Sequence, residues 1–384
     1  MFFDFIKKSK RFYYSKFEMK EESVKKSEQK KACANCGAEL KYKPGSKQLV
    51  CGYCGYEAFI EESKNSFEEL ELSHYLDVVG SKAHTDTLSL LHCKNCGANQ
   101  HVEENYKSLH CVYCGEPLIL EDVLNEDWIL PGAIVPFQID AKKAQQIFQK
   151  WVRAIWFVPN KLKRAALDSE KMHGLYLPYW TFDCNLMADY QGMRGDYYYV
   201  TQTYYVGKER KTRQVRKTRW SNASGSVSGF IDDILINASE KKQNEIPSQI
   251  SNWNIKELVQ FNQDYLSGFV TEKYTISLKD GHHLSFQKAK DVAYGWIRTD
   301  IGGDTQRVNH ADIKISDETF KHILLPVYIS SYKYSGKEYQ FYINGQTGII
   351  HGKYPISYFK VALVVLLIIA ALCIIYFVGS NISL

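Results

Sequence analysis

Eight of the ten cysteines in this sequence stand in four C-x-x-C pairs, and this spacing is the strongest chemical signal in the chain. The pairs combine into two modules, each with the pattern C-x2-C-x14-C-x2-C. A C-x-x-C turn directs two thiolates toward one point, so two such turns can close a tetrahedral site of four sulfurs, which suits Zn²⁺. We therefore predict one zinc ion in each module. The predicted ligands are Cys33, Cys36, Cys51 and Cys54 in the first module and Cys93, Cys96, Cys111 and Cys114 in the second.

Both predicted sites are of the structural kind. Four protein ligands leave no open coordination position for a reactive water. A glycine follows the second cysteine of every pair, at a position where a tight turn favours positive φ. Iron in the same sulfur set, and pairing of turns across the two modules, remain as alternatives; the second would close longer loops. A redox dithiol is the less fitting interpretation, because the pairs are doubled within each module.

The two modules are copies of each other. Residues 33–55 align with residues 93–115 without a gap, and 11 of the 23 positions are identical. We predict two zinc ribbons, at 32–60 and 92–120, joined by a connector at 61–91 that holds a weakly helical acidic stretch. Residues 33–56 carry a net charge of +2 and residues 93–116 a net charge of −1. Because phosphate binding needs clustered cations, these charges favour structural or protein-binding ribbons over nucleic-acid-binding ones.

Length and composition limit the number of domains and the class of protein that the sequence can encode. A chain of 384 residues has room for two to three domains, and 45% apolar with 24% charged residues excludes wholesale disorder. The net charge of +5 is too small to indicate a nucleic-acid binder by itself. The 27 tyrosines favour β-rich structure. The first residues do not have the pattern of a secretory signal peptide, so we expect the thiols to lie in a reducing compartment.

A charge-free apolar segment at 361–379 predicts a membrane-spanning helix within 357–379. Its 19 residues would span roughly 28 Å, about the thickness of the hydrocarbon layer. Lys353 and Lys360 precede the segment and no basic residue follows it, so the positive-inside rule places residues 1–360 in the cytoplasm. We expect a tail anchor in the cell membrane with residues 380–384 outside. The alternative is a buried core helix.

Residues 121–356 are predicted to form an α+β domain rich in antiparallel sheet. A helix should begin after Asp140, which is a suitable cap, and Pro159 should end it. Further helices are predicted near 161–170, 255–265 and 285–299. A hairpin with a basic turn is predicted within 180–238, and strands separated by short turns within 326–354. The predicted fold class is therefore α+β, with two small β-type zinc ribbons and one C-terminal transmembrane helix.

Two segments carry dense positive charge. Residues 1–31 hold ten basic and five acidic side chains interleaved with aromatics, which fits either a membrane-surface segment or a solvated tail. Residues 208–219 hold seven basic side chains and one acidic one. This cluster suits phosphates, lipid headgroups or RNA, with anionic lipid favoured over DNA for a membrane-tethered domain. The alternative is an exposed hairpin with a solvated face.

Other candidate residues give weaker signals. The Gly-Gly turn between Asp300 and Asp304 fits a turn after a helix as well as a ligand loop. His282 and His283 have no partner at a ligand spacing, and Cys184 lacks the context of a nucleophile, so surface and packing roles are predicted for them. No phosphate-binding loop, dinucleotide fingerprint or hydrolase motif occurs in the sequence. We therefore predict that the protein is not an enzyme.

The chain after residue 31 resembles a bacterial family of tail-anchored proteins with paired zinc ribbons of the transcription-factor-IIB type, sometimes labelled primosomal-helicase-like. The resemblance rests on the following sequence segments: CANCGA and CKNCGA, GLYLPYWTFD at 174–183, YQGMRGDYY at 190–198, TRWSNASG at 218–225, FIDDILINAS at 230–239, DIGGDTQRV at 300–308, FKHILLPVYISSYKY at 320–334 and INGQTGIIHGKYPIS at 343–357. The helicase label does not fit this chain, because the motor motifs are missing. The resemblance implies a role in membrane organisation or stress, beside phage-shock-type and flotillin-like membrane proteins. It does not identify a reaction and supplies no catalytic assignment.

These observations together predict a non-enzymatic zinc-ribbon adaptor on the cytoplasmic face of the bacterial membrane. Its expected partners are membrane-associated proteins. The alternative function is a membrane-tethered nucleic-acid binder that uses the ribbons and the basic cluster at 208–219. Its affinity would fall steeply with salt.

Overall fold

The structure is a computed structural model. It describes residues 31–61, 69–78, 85–93, 99–101, 109–111, 117–118, 123–160, 163, 172–239, 247–334 and 337–382. The described residues divide into two compact units. The first contains 31–43 and 47–60, and the second contains the remainder. Residues 1–30 of the basic segment and nearly all of the helix predicted at 161–170 lie outside the described residues.

The first unit is a small antiparallel sheet of three strands. They are β1 (Leu40–Tyr42), β2 (Gln48–Cys51) and β3 (Glu57–Phe59). Leu40 and Tyr42 are buried while the residue between them is exposed, as expected for a strand with one face toward a core. Leu49 and Ile60 complete this small core.

The second unit combines a large sheet with helices. Its first elements are β4 (Leu70–Glu71), α1 (Leu72–Val78), β5 (Thr85–His92), β6 (Asn99–His101), β7 (Leu109–His110), β8 (Pro117–Leu118), β9 (Val123–Ile129), β10 (Ala133–Ile134) and α2 (Ala141–Ala154). The long elements follow, namely β11 (His173–Val206), β12 (Glu209–Asn237), β13 (Val259–Gln260), β14 (Val270–Glu272), α3 (Leu278–Ile301), β15 (Thr305–Tyr334), β16 (Lys337–Asn344), β17 (Ile350–Gly352) and α4 (Tyr358–Ile382).

The main sheet is mostly antiparallel. Its order in the described residues is β13-β10-β15-β11-β14-β6-β5-β9, with β12 paired to β11, β16 to β15 and β17 to β16. Only two of the described pairings, β10 with β15 and β11 with β14, are parallel. The prediction of an α+β fold rich in antiparallel sheet is confirmed at this level.

Strand β11 divides the core into two, because alternate side chains point to opposite faces of a sheet. Leu175, Leu177 and Tyr179 contribute to one hydrophobic cluster, together with neighbours from β15. Phe182 and Leu186 belong to a second cluster, which α3 covers. The side chains at even positions continue to contribute to the second cluster as far as Tyr190. One uninterrupted strand therefore supplies residues to both hydrophobic clusters.

Helix α3 lies close to the sheet along the part from Gly281 to Ala293, because the buried residues there are small. The Ser277 hydroxyl caps its first turn by accepting from the N–H of Asp280, and Gly302 ends it with φ of 65°. The buried stripe repeats every four residues, which keeps it on one side of the helix. Its members are Gly281, Ser285, Ala289, Ala293, Ile297 and Ile301. The helix predicted near 285–299 is confirmed and is longer than expected.

The helix predicted near 255–265 is wrong. Two short 3-10 turns, Ile255–Glu257 and Gln263–Leu266, flank β13 in its place. The side chain of Asn262 accepts a hydrogen bond from the N–H of Asp264 and starts the second turn. Because asparagine competes for backbone hydrogen bonds in this way, it favours short turns over a continuous helix.

Candidate functional site

The four cysteines of the first module come together through two turns of the same construction. The N–H of Gly37 donates to the carbonyl of Cys33 (2.8 Å), and the N–H of Gly55 donates to the carbonyl of Cys51 (2.9 Å). Gly37 and Gly55 have φ of 73° and 75°, so the positive φ predicted at these glycines is confirmed. Residues with a Cβ rarely adopt this conformation, which explains the glycine after each C-x-x-C pair.

The sulfur atoms are spaced as a metal site requires. Sγ of Cys33 lies 3.4 Å from Sγ of Cys54, and Sγ of Cys36 lies 3.5 Å from Sγ of Cys51. All four sulfurs lie within 4.8 Å of one another. Thiolates arranged tetrahedrally at about 2.3 Å from one ion would be separated by about 3.8 Å. The four side chains therefore form a cluster that can hold one metal ion.

The electrostatics of the cluster also suit a cation. The backbone N–H of Tyr56 is the largest influence on Cys54 and lowers the pKa of its thiol to about 6. The N–H of Ala38 lowers the pKa of Cys36, but the neighbouring thiols, Cys54 first, and burial outweigh it and raise that pKa to about 12. Thiols this close share their protons, because several thiolates at one point repel each other. A divalent cation would remove that repulsion and favour the thiolate at every position.

The second predicted site is described only in part. Cys93 and Cys111 are buried and belong to the same hydrophobic cluster, whereas Cys96 and Cys114 lie outside the described residues. The prediction of a second metal site therefore stays a prediction.

The strand register supports the repeat read from the sequence. In the first module Leu49 pairs with Ala58 and Val50 with Glu57. In the second module the pairs are Leu109 with Leu118 and His110 with Pro117, the same pairs shifted by 60 positions. Strand β6 of the second module also pairs with β5 and β14. This module therefore joins the main sheet, which the sequence did not indicate.

The predicted membrane segment lies within one helix, α4, that is long and apolar enough to cross a membrane. The window Tyr358–Ile375 has none of its residues buried in the described structure. The alternative of a buried core helix is therefore not supported. At its start, Nζ of Lys360 donates to the carbonyls of Trp156 (2.9 Å) and Val158 (2.8 Å) and to Oδ1 of Asn160 (2.9 Å).

The basic cluster at 208–219 forms one strand of an exposed hairpin, as predicted. β15 begins at Thr305, opposite Gly195, so beyond that point β11 and β12 pair only with each other among the described strands. We call the paired segments 196–206 and 209–219 the basic hairpin. The guanidinium of Arg216 lies 4.2 Å from the ring centre of Tyr197, and those of Arg213 and Arg219 stack on tyrosines in the same way.

An ion-pair network that sequence reasoning missed surrounds the buried Lys321, at the level of the register shift between β11 and β12. Nζ of Lys321 lies 2.9 Å from a carboxylate oxygen of Glu69, and 3.6 Å from one each of Asp183 and Asp233. The carboxylates of Asp183, Asp232 and Asp233 are close enough to suggest a cation site. Here Lys321 already supplies a cation to Asp183 and Asp233, so the arrangement serves to neutralise buried charge.

The other candidate residues have structural partners. The carboxylate of Asp300 accepts a 2.5 Å hydrogen bond from the hydroxyl of Tyr190, and this bond is the main cause that raises the pKa of Tyr190 to about 12. The carboxylate of Asp304 accepts from the N–H of Tyr197, which fits the predicted turn. His282 lies 2.6 Å from Glu318, and Cys184 is buried in a core cluster, as a packing role requires.

These elements define a sheet-rich α+β protein with a four-cysteine cluster and one exposed apolar helix. No family model matches the chain. An uncharacterized protein of Bacillus subtilis (strain 168), YdjG, is 28% identical over 332 residues, which are 86% of this chain and 91% of that protein. No solved structure matches. The similarity extends over most of both chains, and the name of the relative states no function.

Proposed function

We propose that this protein is a zinc-ribbon adaptor in the bacterial cell membrane, anchored by α4, with its sheet domain in the cytoplasm. The observation that carries the proposal is the exposure of α4, whose apolar window has no residue buried against the protein. Exposed apolar surface costs about 25 cal/mol per Å² in water, so a helix of this kind needs an apolar environment. A bilayer provides one, and the bonds of Lys360 would hold the sheet domain at its surface.

The cysteine clusters would have a structural role in this adaptor. Four thiolates fill the coordination sphere of zinc and leave no position for a substrate. The first cluster would stabilise a unit that has only a small apolar core. Small domains of this size usually need a metal or disulfides to fold.

The basic hairpin would be the surface that binds a partner. α4 follows β17 in the chain. β17 pairs with β16, and β16 pairs with the C-terminal end of β15. That end of β15 pairs with the start of β11, at His173. The hairpin turn follows Val206, and 34 extended residues have a contour of about 110 Å. The strand thus separates the anchor from the binding surface, as an adaptor requires. The family resemblance suggests phage-shock-type or flotillin-like membrane proteins as partners.

Affinity purification tests this proposal. Full-length protein would be isolated from gently solubilised membranes, with and without nuclease, beside two variants. One variant neutralises the hairpin through Arg213→Gln, Arg216→Gln and Lys217→Gln. The control, Lys279→Gln with Lys290→Gln, changes charge on α3. We expect stoichiometric membrane-associated proteins that survive nuclease with wild type and control and that the hairpin variant loses. The absence of any such protein would overturn the proposal.

A second candidate function is nucleic-acid binding, and one observation favours it. Cross-strand partners share a face of the hairpin, so its register assigns the cations to faces. Lys211 and Lys217 lie opposite Tyr204 and Tyr198 on one face, whereas Arg216 lies opposite Tyr199 on the other. The major groove of DNA admits a two-stranded β-ribbon and is lined by phosphates on two sides. Cations on both faces of the hairpin could therefore contact both phosphate backbones.

The salt dependence of affinity tests the second candidate. Zinc-loaded full-length protein in nanodiscs would be titrated with double-stranded DNA at several salt concentrations. A nucleic-acid binder that uses the hairpin should lose affinity steeply with salt, and the neutralised hairpin should show a shallower slope. Binding that is absent, or that salt does not change, would exclude this function.

A further inference from the structure

Exposed aromatic side chains surround the start of α4. Trp156 is 50% exposed, Tyr358 85% and Phe359 79%. Phe157 and Tyr354 are each 39% exposed. We call these five residues the aromatic collar. Two of them, Trp156 and Phe157, come from the loop after α2, about 200 positions before the helix in sequence.

The collar is held together by hydrogen bonds and ring contacts. The N–H of Ser357 donates to the carbonyl of Phe157 (2.8 Å), and Lys360 binds the carbonyls of Trp156 and Val158. The rings of Trp156 and Phe157 meet edge to face, with their centres 5.2 Å apart. The loop is therefore fixed against the first turn of the helix and does not depend on lipid for its position.

A second contact fixes the other side of the collar. The ring of Tyr354 lies edge-on to Trp151 of α2, with 5.9 Å between the ring centres. α2 is itself anchored in the core through Phe148, which stacks on Phe341 of β16 at 3.8 Å. The collar is thus connected through α2 to the main sheet.

The chemistry of the collar suits the boundary between lipid and water. Tryptophan and tyrosine combine an apolar ring with a polar group, and they concentrate at the headgroup layer of membranes. A cation stands beside them, because Nζ of Lys360 lies 5.9 Å from the ring centre of Trp156. A second basic residue, Lys163, is tied to the end of α2, where its Nζ donates to the carbonyl of Arg153. Basic residues next to a spanning helix favour anionic headgroups.

We infer that the aromatic collar inserts into the headgroup layer of the bilayer that α4 crosses, so that the loop at 155–160 is a second membrane contact. This inference rests on the proposed membrane anchoring. A single helix leaves a domain free to tilt and rotate about its base. A second contact beside that base restricts the tilt, and through the rigid sheet it sets the direction in which the basic hairpin points.

Quenching of tryptophan fluorescence by lipid tests the inference. Full-length wild type, Trp156→Phe and Trp220→Phe would be reconstituted in vesicles of phosphatidylcholine and phosphatidylglycerol, with or without lipid brominated near the headgroup. The emission removed by Trp156→Phe should be strongly quenched by the brominated lipid. The emission removed by Trp220→Phe, at the base of the basic hairpin, should not be. Equal quenching of wild type and Trp156→Phe would overturn the inference.

A topology measurement separates this result from failure of the anchoring proposal. A protease-sensitive tag after Leu384 should be protected in sealed inverted membrane vesicles if α4 crosses the bilayer. A protected tag with unquenched Trp156 would overturn the inference that the collar enters the headgroup layer and would leave the anchoring proposal intact. An accessible tag would overturn the anchoring. Lys360→Met should reduce the quenching of Trp156 while the tag stays protected, because the loop loses the bonds that hold it at the helix.

Discussion

The backbone N–H of Asp233 on β12 donates a 2.6 Å hydrogen bond to Oδ1 of Asp183 on β11. Asp233 has a positive φ of 54°, and the register between the two strands shifts at this level. A bulge frees one backbone donor from the ladder, and here a buried carboxylate accepts from it. Lys321 then balances the charge of that carboxylate. The register shift is therefore stabilised by an aspartate that is only 1% exposed.

We predict that Asp183→Asn changes the pH dependence of stability. Burial is the largest cause that raises the pKa of Asp183, to about 6, against the opposing effects of the Asp233 N–H and Lys321. An aspartate in the unfolded chain titrates near 3.9, so the folded protein holds this proton more tightly. The stability that the group contributes at low pH is lost as the pH rises through 6. Asparagine at this position keeps an oxygen that can accept from the N–H of Asp233, and its side chain does not titrate.

The thermal midpoint of full-length protein in detergent measures this effect between pH 4 and 7. Relative to wild type, Asp183→Asn should become more stable as the pH rises through this window. Asp189→Asn, an exposed substitution further along the same strand, serves as the control. Curves for wild type and Asp183→Asn that stay parallel over the whole range would contradict the prediction.

His322→Asn should have the opposite effect on the pH profile. Burial lowers the pKa of His322 to about 4, and Nδ1 lies 2.8 Å from the carbonyl of Ile129. The unfolded chain binds a proton at this position near pH 6.5, so protonation favours unfolding as the pH falls from 6.5 to 4. Asparagine can keep a bond to Ile129 but does not titrate, so the variant should lose less stability over that interval.

The same melting experiment checks this prediction, with exposed His283→Asn as its control. The control should retain the full loss of stability on acidification. If His322→Asn loses as much stability between pH 6.5 and 4 as wild type does, the histidine is not the group responsible.

Local features of this fold were predictable where short segments determine them. Asp140 caps α2 as expected, with Oδ1 2.6 Å from the N–H of Lys143. The glycines after the C-x-x-C pairs and the turn at Gly207 also follow from local backbone preferences. β11 begins at His173, before the region 180–238 in which the hairpin was predicted, and alternate apolar residues from Phe182 to Tyr190 follow the period-two pattern of a strand.

The sites that were missed depend on contacts between distant parts of the chain. Asp183, Asp233 and Lys321 are separated by 50 and 88 positions, and each is an ordinary charged residue until the strands pair. Trp156 likewise follows an amphipathic helix and gives no local signal of a membrane contact. The membrane contact is indicated only by the packing of residues 155–160 against α4. Nothing in a single sequence indicates these pairings.

Two glycines in α3 should respond oppositely to the same substitution. Gly295 is exposed and a Cβ there would meet nothing within 4 Å, so Gly295→Ala should stabilise the protein by about 0.5–1 kcal/mol through helix propensity. A Cβ at Gly281 would lie 2.8 Å from Cδ1 of Trp180. That ring is buried and donates to the carbonyl of Ile276, so Gly281→Ala should cost about 1–3 kcal/mol.

Denaturant titration of both variants, with tryptophan emission as the signal, gives the two free-energy changes directly. Each variant is the control for the other, because the helix and the chemical change are the same. A gain in stability for Gly281→Ala would show that α3 does not pack against Trp180 as closely as the distances indicate.

The metal assignment predicts that Cys51→Ser loses one equivalent of zinc. Sγ of Cys51 is 3.5 Å from Sγ of Cys36, and serine is a poor ligand for this ion, so the three remaining thiolates should not retain it. The first unit should then unfold locally and become sensitive to protease, because metal binding supplies much of the folding free energy of such small units. Elemental analysis of purified full-length protein gives the stoichiometry.

Cys111→Ser makes the same test of the second module, and it should also leave one metal ion per chain. Cys184→Ala is the control, since Cys184 is buried in a core cluster and should leave the metal content at two. Retention of two ions by either serine variant would refute the assignment of that cysteine. A wild-type content of one ion, lost in Cys51→Ser and kept in Cys111→Ser, would restrict the metal to the first module. Absorbance of the purified protein in the visible range would distinguish iron from zinc, because only an iron–thiolate centre is coloured.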